Sequence, residues 1–445
     1  MSPAPNTHPP TADVPNTHPP TAPAPAADVP TADVSATDGL AATGRRLQLT
    51  RAAQWFAGTC GDPYALILRA EAADPGPYEE RVRALGPLFR GELPDTWVTA
   101  SRVVADTVID SPDFDGRTGD GPHPGARELP LAGTALDADR AAFGRLAART
   151  AWGGPLMPAP HRRALRESAE RHARTLLDPL ADSLAFGGTA DLLDAYARRL
   201  PALVIREQLG VPEALTEPFA DALAGCRRTL DSLLCPQLLA DAVALAKAEA
   251  DLTAVLGRSA AGRDPEAVAA ARALAVGAAE PTATLVGNAV RTLLERPGQW
   301  AALAQDPGLA PAAVTETLRV MPPVRLEQRV AREDTEILGE RIPAGGRLVI
   351  LVAAVNRDTD PAPFDLARPS PGPFGLPADL HFRLGGPLIA AVAEAALGAL
   401  AARLPGLRAA GPVVRRRRSP VLHGYARFPV AAAPAASDPS AAPGA

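Results

Sequence analysis

The chain has 445 residues, 47% of them hydrophobic, and a formal net charge of −5 from 45 Lys and Arg against 50 Asp and Glu. That supports a large buried core in one or two domains and excludes a nucleic-acid-binding face, since the only dense basic run, Arg415–Arg418, is short and expected to be solvated. Cys60, Cys226 and Cys235 are odd in number and widely spaced, with no C-x-x-C pair and no histidine at ligand spacing, which argues against a disulfide framework and a zinc site.

In chain order, residues 1–44 come first as a Pro/Thr/Ala-rich arm in which PNTHPPTA recurs at 5–12 and 15–22 and PTADV at 10–14 and 30–34. Such a composition buries too little apolar area to offset chain entropy, so disorder is expected. The segment has neither the basic start nor the apolar stretch of a signal peptide, and no uncharged apolar run is long enough to cross a membrane; a cytoplasmic protein is expected. One domain is expected over 45–430, and 431–445 is expected to be a second disordered tail.

Within the domain the apolar period is mostly helical. Leu165, Ala169, Leu176, Leu177 and Leu180 share one face of 161–185, with His161 and His172 expected on its charged outer side. Residues 282–296 carry Leu285, Val286, Ala289, Val290, Leu293 and Leu294 on one stripe, and PAAVTETLR (311–319) sets Glu316 and Arg319 three apart, close enough to pair. EILGERIPAGGRLVILVAAV (336–355) has two extended runs around a Pro/Gly turn and predicts a hairpin. From 356 to 379 Pro and Gly are too dense for a regular element, and 387–404 is again a core helix. The fold class is mainly α with a small β part.

The series formed by the E-x-x-R helix, the hairpin, NRDTDPAPFDLARP (356–369) and DLHFRLGGPLIAAVAEAAL (379–397) resembles the C-terminal half of a bacterial cytochrome P-450. ALAVGAAEPTATLVGN (273–288) sits where that family has its oxygen-activating helix, and DRAAFGRLAAR (139–149) where a helix crosses the haem. The resemblance implies a structural triad of Glu316, Arg319 and Arg368, in which two guanidiniums bridge one carboxylate.

It also implies losses. His381-Phe382 is followed almost at once by Leu384-Gly385-Gly386-Pro387-Leu388, which resembles the segment just after the family's haem-ligating cysteine; about eight residues of that loop, the ligand among them, are missing by this comparison. Where the family has an acid followed by a threonine, Glu280 is followed by Pro281, which has neither hydroxyl nor N–H. Arg329 and His381 match positions that contact haem propionates, and either they are vestigial or they still hold an anion. The crossing helix reads Arg140-Ala-Ala-Phe-Gly144 and lacks the arginine that accompanies them.

Haem and a metal are therefore not expected, and no catalytic residue is assigned. The segment 45–89, with its LTRAAQW and GDPYA stretches, is similar to the start of haem-free P-450 homologues that serve as auxiliary proteins of antibiotic glycosyltransferases in macrolide and anthracycline pathways, and the Ala/Arg/Pro-rich composition suits an actinomycete. This resemblance implies a partner glycosyltransferase moving a deoxysugar from a TDP-sugar to a polyketide aglycone. Three other readings stand beside it: a P-450-like oxidoreductase with unusual haem ligation, a small-molecule carrier, and a nucleotide-dependent transferase, the last opposed by the lack of G-x-G-x-x-G and of alternating βα units.

Overall fold

A computed structural model describes residues 34–72, 74–109, 111–115, 136, 159–259, 262, 264–368 and 380–432, without the side chains of 34–38, 159 and 380–384. The chain divides into Met1–Ala42, of which only the start of the first helix is described, and Thr43–Ala445, which holds every other described element. That first helix, α1, spans Val34–Thr59, so the last part of the stretch expected to be an arm is helical.

Helices α2 (Pro63–Arg69) and α3 (Gly76–Ala84) follow, then the strands β1 (Phe89–Arg90), β2 (Thr96–Thr99) and β3 (Phe114–Asp115). The helical body contains α4 (Ala159–Ala185), α5 (Arg199–Gln208), α6 (Leu239–Leu256), α7 (Pro265–Leu294) and α8 (Ala310–Val320). Asp264 starts α7 by accepting the Glu266 N–H at 3.0 Å, with Pro265 in the first turn where its missing N–H costs nothing.

From there α7 runs through the centre of the core. Leu285, Val286, Ala289, Val290 and Leu293 are all buried, and each large apolar side chain removed from water contributes about 1.5–3 kcal/mol. Pro281 lies inside this helix and deprives the Gly277 carbonyl of its usual donor, yet α7 continues past it.

The β part is a five-stranded sheet in the order β1-β2-β7-β4-β3, where β4 is Leu326–Ala331 and β7 is Arg347–Leu351. β7 pairs in parallel with β2 and antiparallel with β4. The expected hairpin is corrected. It is the short pair β5 (Thr335–Ile337) and β6 (Glu340–Ile342), closed by Leu338 and Gly339 at φ 53° and 84°, while the Pro/Gly turn at 343–346 delivers β7 into the larger sheet. The apolar run after β7 is helix α9 (Val352–Thr359) and not strand, so the irregular stretch expected from 356 begins only after Thr359. Residues 360–368 are irregular, and 369–379 lie outside the described residues.

Helix α10 spans Leu380–Arg403 and packs on α7, α4 and α8. Gly385 and Gly386 are therefore inside its second turn, a correction to the glycine loop expected before residue 387. From Gly385 to Arg403 it is long and apolar enough to cross a membrane, but Leu388, Val392, Ala396 and Leu400 are fully buried in the core, where Tyr196 also donates to the Ala396 carbonyl at 2.9 Å. The chain then forms β8 (Val414–Arg415) and β9 (Tyr425–Arg427), an antiparallel pair. A small sheet of Ala190–Asp191, Leu407–Ala409 and Pro429–Ala432 closes the end.

Candidate functional site

The E-x-x-R pair forms as expected. Arg319 donates from Nε and Nη2 to the two carboxylate oxygens of Glu316 at 2.9 and 2.6 Å, with both side chains almost fully buried. Arg368, the third member expected, does not touch Glu316. It pairs instead with Asp360 at 2.6 Å, and Asp360 lies 3.8 Å from Arg319, so the group is a four-residue chain of alternating charge. Arg319 also donates to the carbonyls of Asp360 and Ala362, and the Asp365 N–H donates to Glu316, which ties the irregular 360–365 segment to α8.

A carboxylate bridged by two guanidiniums does exist, at Glu79 on α3. Glu79 is 1% exposed and pairs with Arg325, just before β4, and with Arg357 on α9. Burial alone would raise its pKa; the two arginines outweigh burial and hold it below the ordinary carboxylate value. Residues this far apart in sequence leave no local pattern.

On α7, Glu280 is buried at the centre of an arginine cluster. Arg416 pairs with it directly, Arg198 stands at 3.7 Å and Arg227 at 3.8 Å. The basic run expected to be solvated is thus partly an internal device, with the Arg416 side chain 9% exposed. The segment beyond Arg416 is inserted beside α7 and held by Asp231, which is 0% exposed and accepts from Ser419 Oγ at 2.7 Å and from the Val421 and Leu422 N–H groups at 3.0 and 3.2 Å. Arg325 N–H donates to the Val421 carbonyl at 2.7 Å, which also ties this segment to the residue before β4.

At the start of α10, an ideal Cβ on Gly385 would lie 3.2 Å from the Cβ of Ala278. The two helices therefore meet in van der Waals contact two residues before Glu280, leaving no gap of a planar ring's thickness at that point. The nearby chemistry is weak. Cys226 and Cys235 are buried, which pushes both thiols up to about 12, and Cys235 sits against the Leu68 carbonyl at 3.8 Å. Burial, with Arg325, Arg415 and Arg291 nearby, lowers His423 to about 2, far too weak a base for proton transfer at neutral pH.

Arg329 is a fully buried core residue paired with Glu327 and donating to the Gln328 carbonyl at 2.8 Å. The His381 side chain and the crossing-helix residues 140–144 lie outside what is described. His172 is not on a purely charged outer face: it bridges α4 to α5 through Glu207 at 2.6 Å, which Arg171 also contacts. Among the described residues, no group of three or more His, Cys, Asp or Glu could hold a metal ion.

Comparison with known proteins agrees with this architecture. The family model described as Cytochrome P450 matches residues 291–372, from the end of α7 through α8 and the sheet to the irregular segment. Protein TylM3 of Streptomyces fradiae is 56% identical over 411 residues, 88% of this chain and 93% of that protein. Protein DesVIII of Streptomyces venezuelae is 40% identical over 400 residues, 87% of this chain and 93% of that protein. Among solved structures, ligand-free CYP164A2 of Mycobacterium smegmatis superposes with a TM-score of 0.69 at 29% identity, covering 83% of this chain and 99% of that one. With the helical core, the buried E-x-x-R pair and the sheet in place, the chain belongs to the cytochrome P450 family.

Proposed function

We propose that this P450-family chain is a non-catalytic, haem-free activator and stabiliser of a partner glycosyltransferase that transfers a TDP-deoxysugar to a polyketide aglycone in antibiotic biosynthesis. The observation that carries the haem-free part is the contact between Gly385 and Ala278. Gly385 lies in the segment that resembles the one after the family's cysteine, and Ala278 lies in the helix that resembles its oxygen-activating helix, so a porphyrin would have to stand where the two already touch. The sequence from Pro236 onward contains no cysteine. Glu280, matched to the family's working acid, is neutralised by Arg416.

The partner is supported by kinship with TylM3 and DesVIII over nearly the full length of each, and by the resemblance of residues 45–89 to the start of auxiliary proteins. Activation without chemistry requires that the chain bind the competent state of the transferase better than its other states, because equal affinity shifts nothing. A rigid body with an intact core suits that task. The complex would assemble in the cytoplasm as a hetero-oligomer.

The test is a glycosyl-transfer assay with the transferase encoded beside this chain, its TDP-sugar and its aglycone, with and without the purified chain. A rate that rises with added chain, saturates, and survives Cys235→Ala supports the proposal. A transferase equally stable and equally active alone removes it.

A further inference from the structure

Helix α1 is apolar on the side that faces away from the protein. Over residues 43–60 its inner face is set by Leu47 and Ala57, which are buried, and by Gln54 and Arg51, which donate to the carbonyls of Leu234 and Gln237 at 3.0 and 2.8 Å. On the opposite side stand Leu49 (70% exposed), Ala52, Ala53, Phe56 (71% exposed) and Cys60. These positions recur at i, i+3, i+4, i+7 and i+11, one continuous stripe about 16 Å long. No charged residue interrupts it. The long helix α4, by contrast, covers its outer face with Arg162, Arg163, Glu167, Arg171 and Arg174.

The stripe leads into a notch of about 280 Å³ to which Leu49 and Ala53 contribute, with Leu68 and Leu93 as its apolar wall. That volume lies at the lower edge of the roughly 300–1,000 Å³ typical of drug-sized ligands, and it has room for one protruding side chain. Arg46 and Arg347 line the notch and no carboxylate does. At the far end of the stripe, Arg69 lies over the Trp55 ring at 4.0 Å, and Asp62 is buried, its oxygens accepting from the N–H groups of Ala65 and Glu92.

We propose that the outer face of α1, centred on Leu49 and Phe56, is the surface that docks the partner transferase, through an amphipathic helix with an aliphatic or aromatic knob for the notch and flanking carboxylates. This rests on the function proposed above. The charges select the occupant. A second copy of the chain would set Arg45 and Arg46 against their counterparts in a parallel pairing, or against Arg69 in an antiparallel one, and like charges in contact disfavour both. Small Ala52 and Ala53 between larger Leu49 and Phe56 form a helix-receiving groove, and the notch has no use on a flat lipid surface.

The experiment measures binding of the full-length chain to its cognate transferase by calorimetry, for wild type, for Leu49→Ser/Phe56→Ser, and for Phe186→Ser as an equivalent change at a 93% exposed phenylalanine after α4. Thermal midpoints of all three check folding. The proposal expects the double variant to bind at least 100-fold more weakly with an unchanged midpoint, and Phe186→Ser to bind as wild type does. If wild type and double variant bind equally, the docking surface is overturned while the activator function stands. If wild type does not bind its transferase at all, both fall. Self-association of wild type, or its sedimentation with phosphatidylglycerol vesicles, that disappears in the double variant also overturns the assignment.

Discussion

Glu79 shows how a buried residue can be tied to the fold through partners invisible in the sequence. It joins α3 to the residue before β4 and to α9, and losing it would leave Arg325 and Arg357 facing each other in a desolvated site. Breaking such an arrangement costs about 3–5 kcal/mol. Because its folded pKa is depressed, its stabilisation is fully present above the unfolded carboxylate value, about 4.3, and is lost as pH falls through the lower folded value. Glu79→Gln should therefore be less stable than wild type by about that amount at pH 7, and the gap between their denaturant midpoints should close on acidification below about pH 4. A gap that stays constant down to pH 3 would show that the carboxylate is not held ionised by its arginines. Glu316 and Arg319 were legible because they lie three apart on one helix; Arg368 was placed near them correctly but on the wrong carboxylate, since its choice of Asp360 is made by the irregular 360–368 backbone.

At the scale of elements, long amphipathic helices were the most legible, because burial imposes a period that composition alone cannot hide. The stripes of α4, α7 and α10 all face the core as their sequences require. The strands were harder. After Arg347, β7 is apolar because it is paired on both edges and buried, and the apolar run continues into α9 without a marker. The run Arg415–Arg418 was misread in part for a related reason: a basic run ordinarily lies in water, and only acids distant in sequence, Glu280 and Asp231, give Arg416 a reason to go inside. Glu280→Gln should destabilise the chain by about 3–5 kcal/mol, since Arg198, Arg227 and Arg416 would then share a site with no central carboxylate. Adding Arg416→Gln should recover part of the loss, with a coupling energy of about 1–3 kcal/mol in a double-mutant cycle from urea melts. Strict additivity would mean that Glu280 and Arg416 do not support each other in the folded chain.

At the scale of the whole molecule, retention and loss follow one line. The buried E-x-x-R pair, the central helix and the sheet are what a P450 needs to fold, and they are present. Of the positions that the resemblance matches to haem and oxygen chemistry, Glu280 pairs with arginines, Pro281 offers no hydroxyl, and Gly385 packs on Ala278. On the function proposed above, a family scaffold without its cofactor serves by binding, with α1 turning an apolar face to solvent. That face was not recognised as a surface in the sequence, because Leu49, Ala53 and Phe56 carry the same period as a core stripe and only the structure tells which side is in. The most direct test of the account is an ultraviolet–visible spectrum of the purified chain, produced with a haem precursor, before and after dithionite and carbon monoxide. The account predicts a flat visible region in both states, whereas a stoichiometric Soret band would mean that α7 and α10 part to admit a porphyrin and would contradict it.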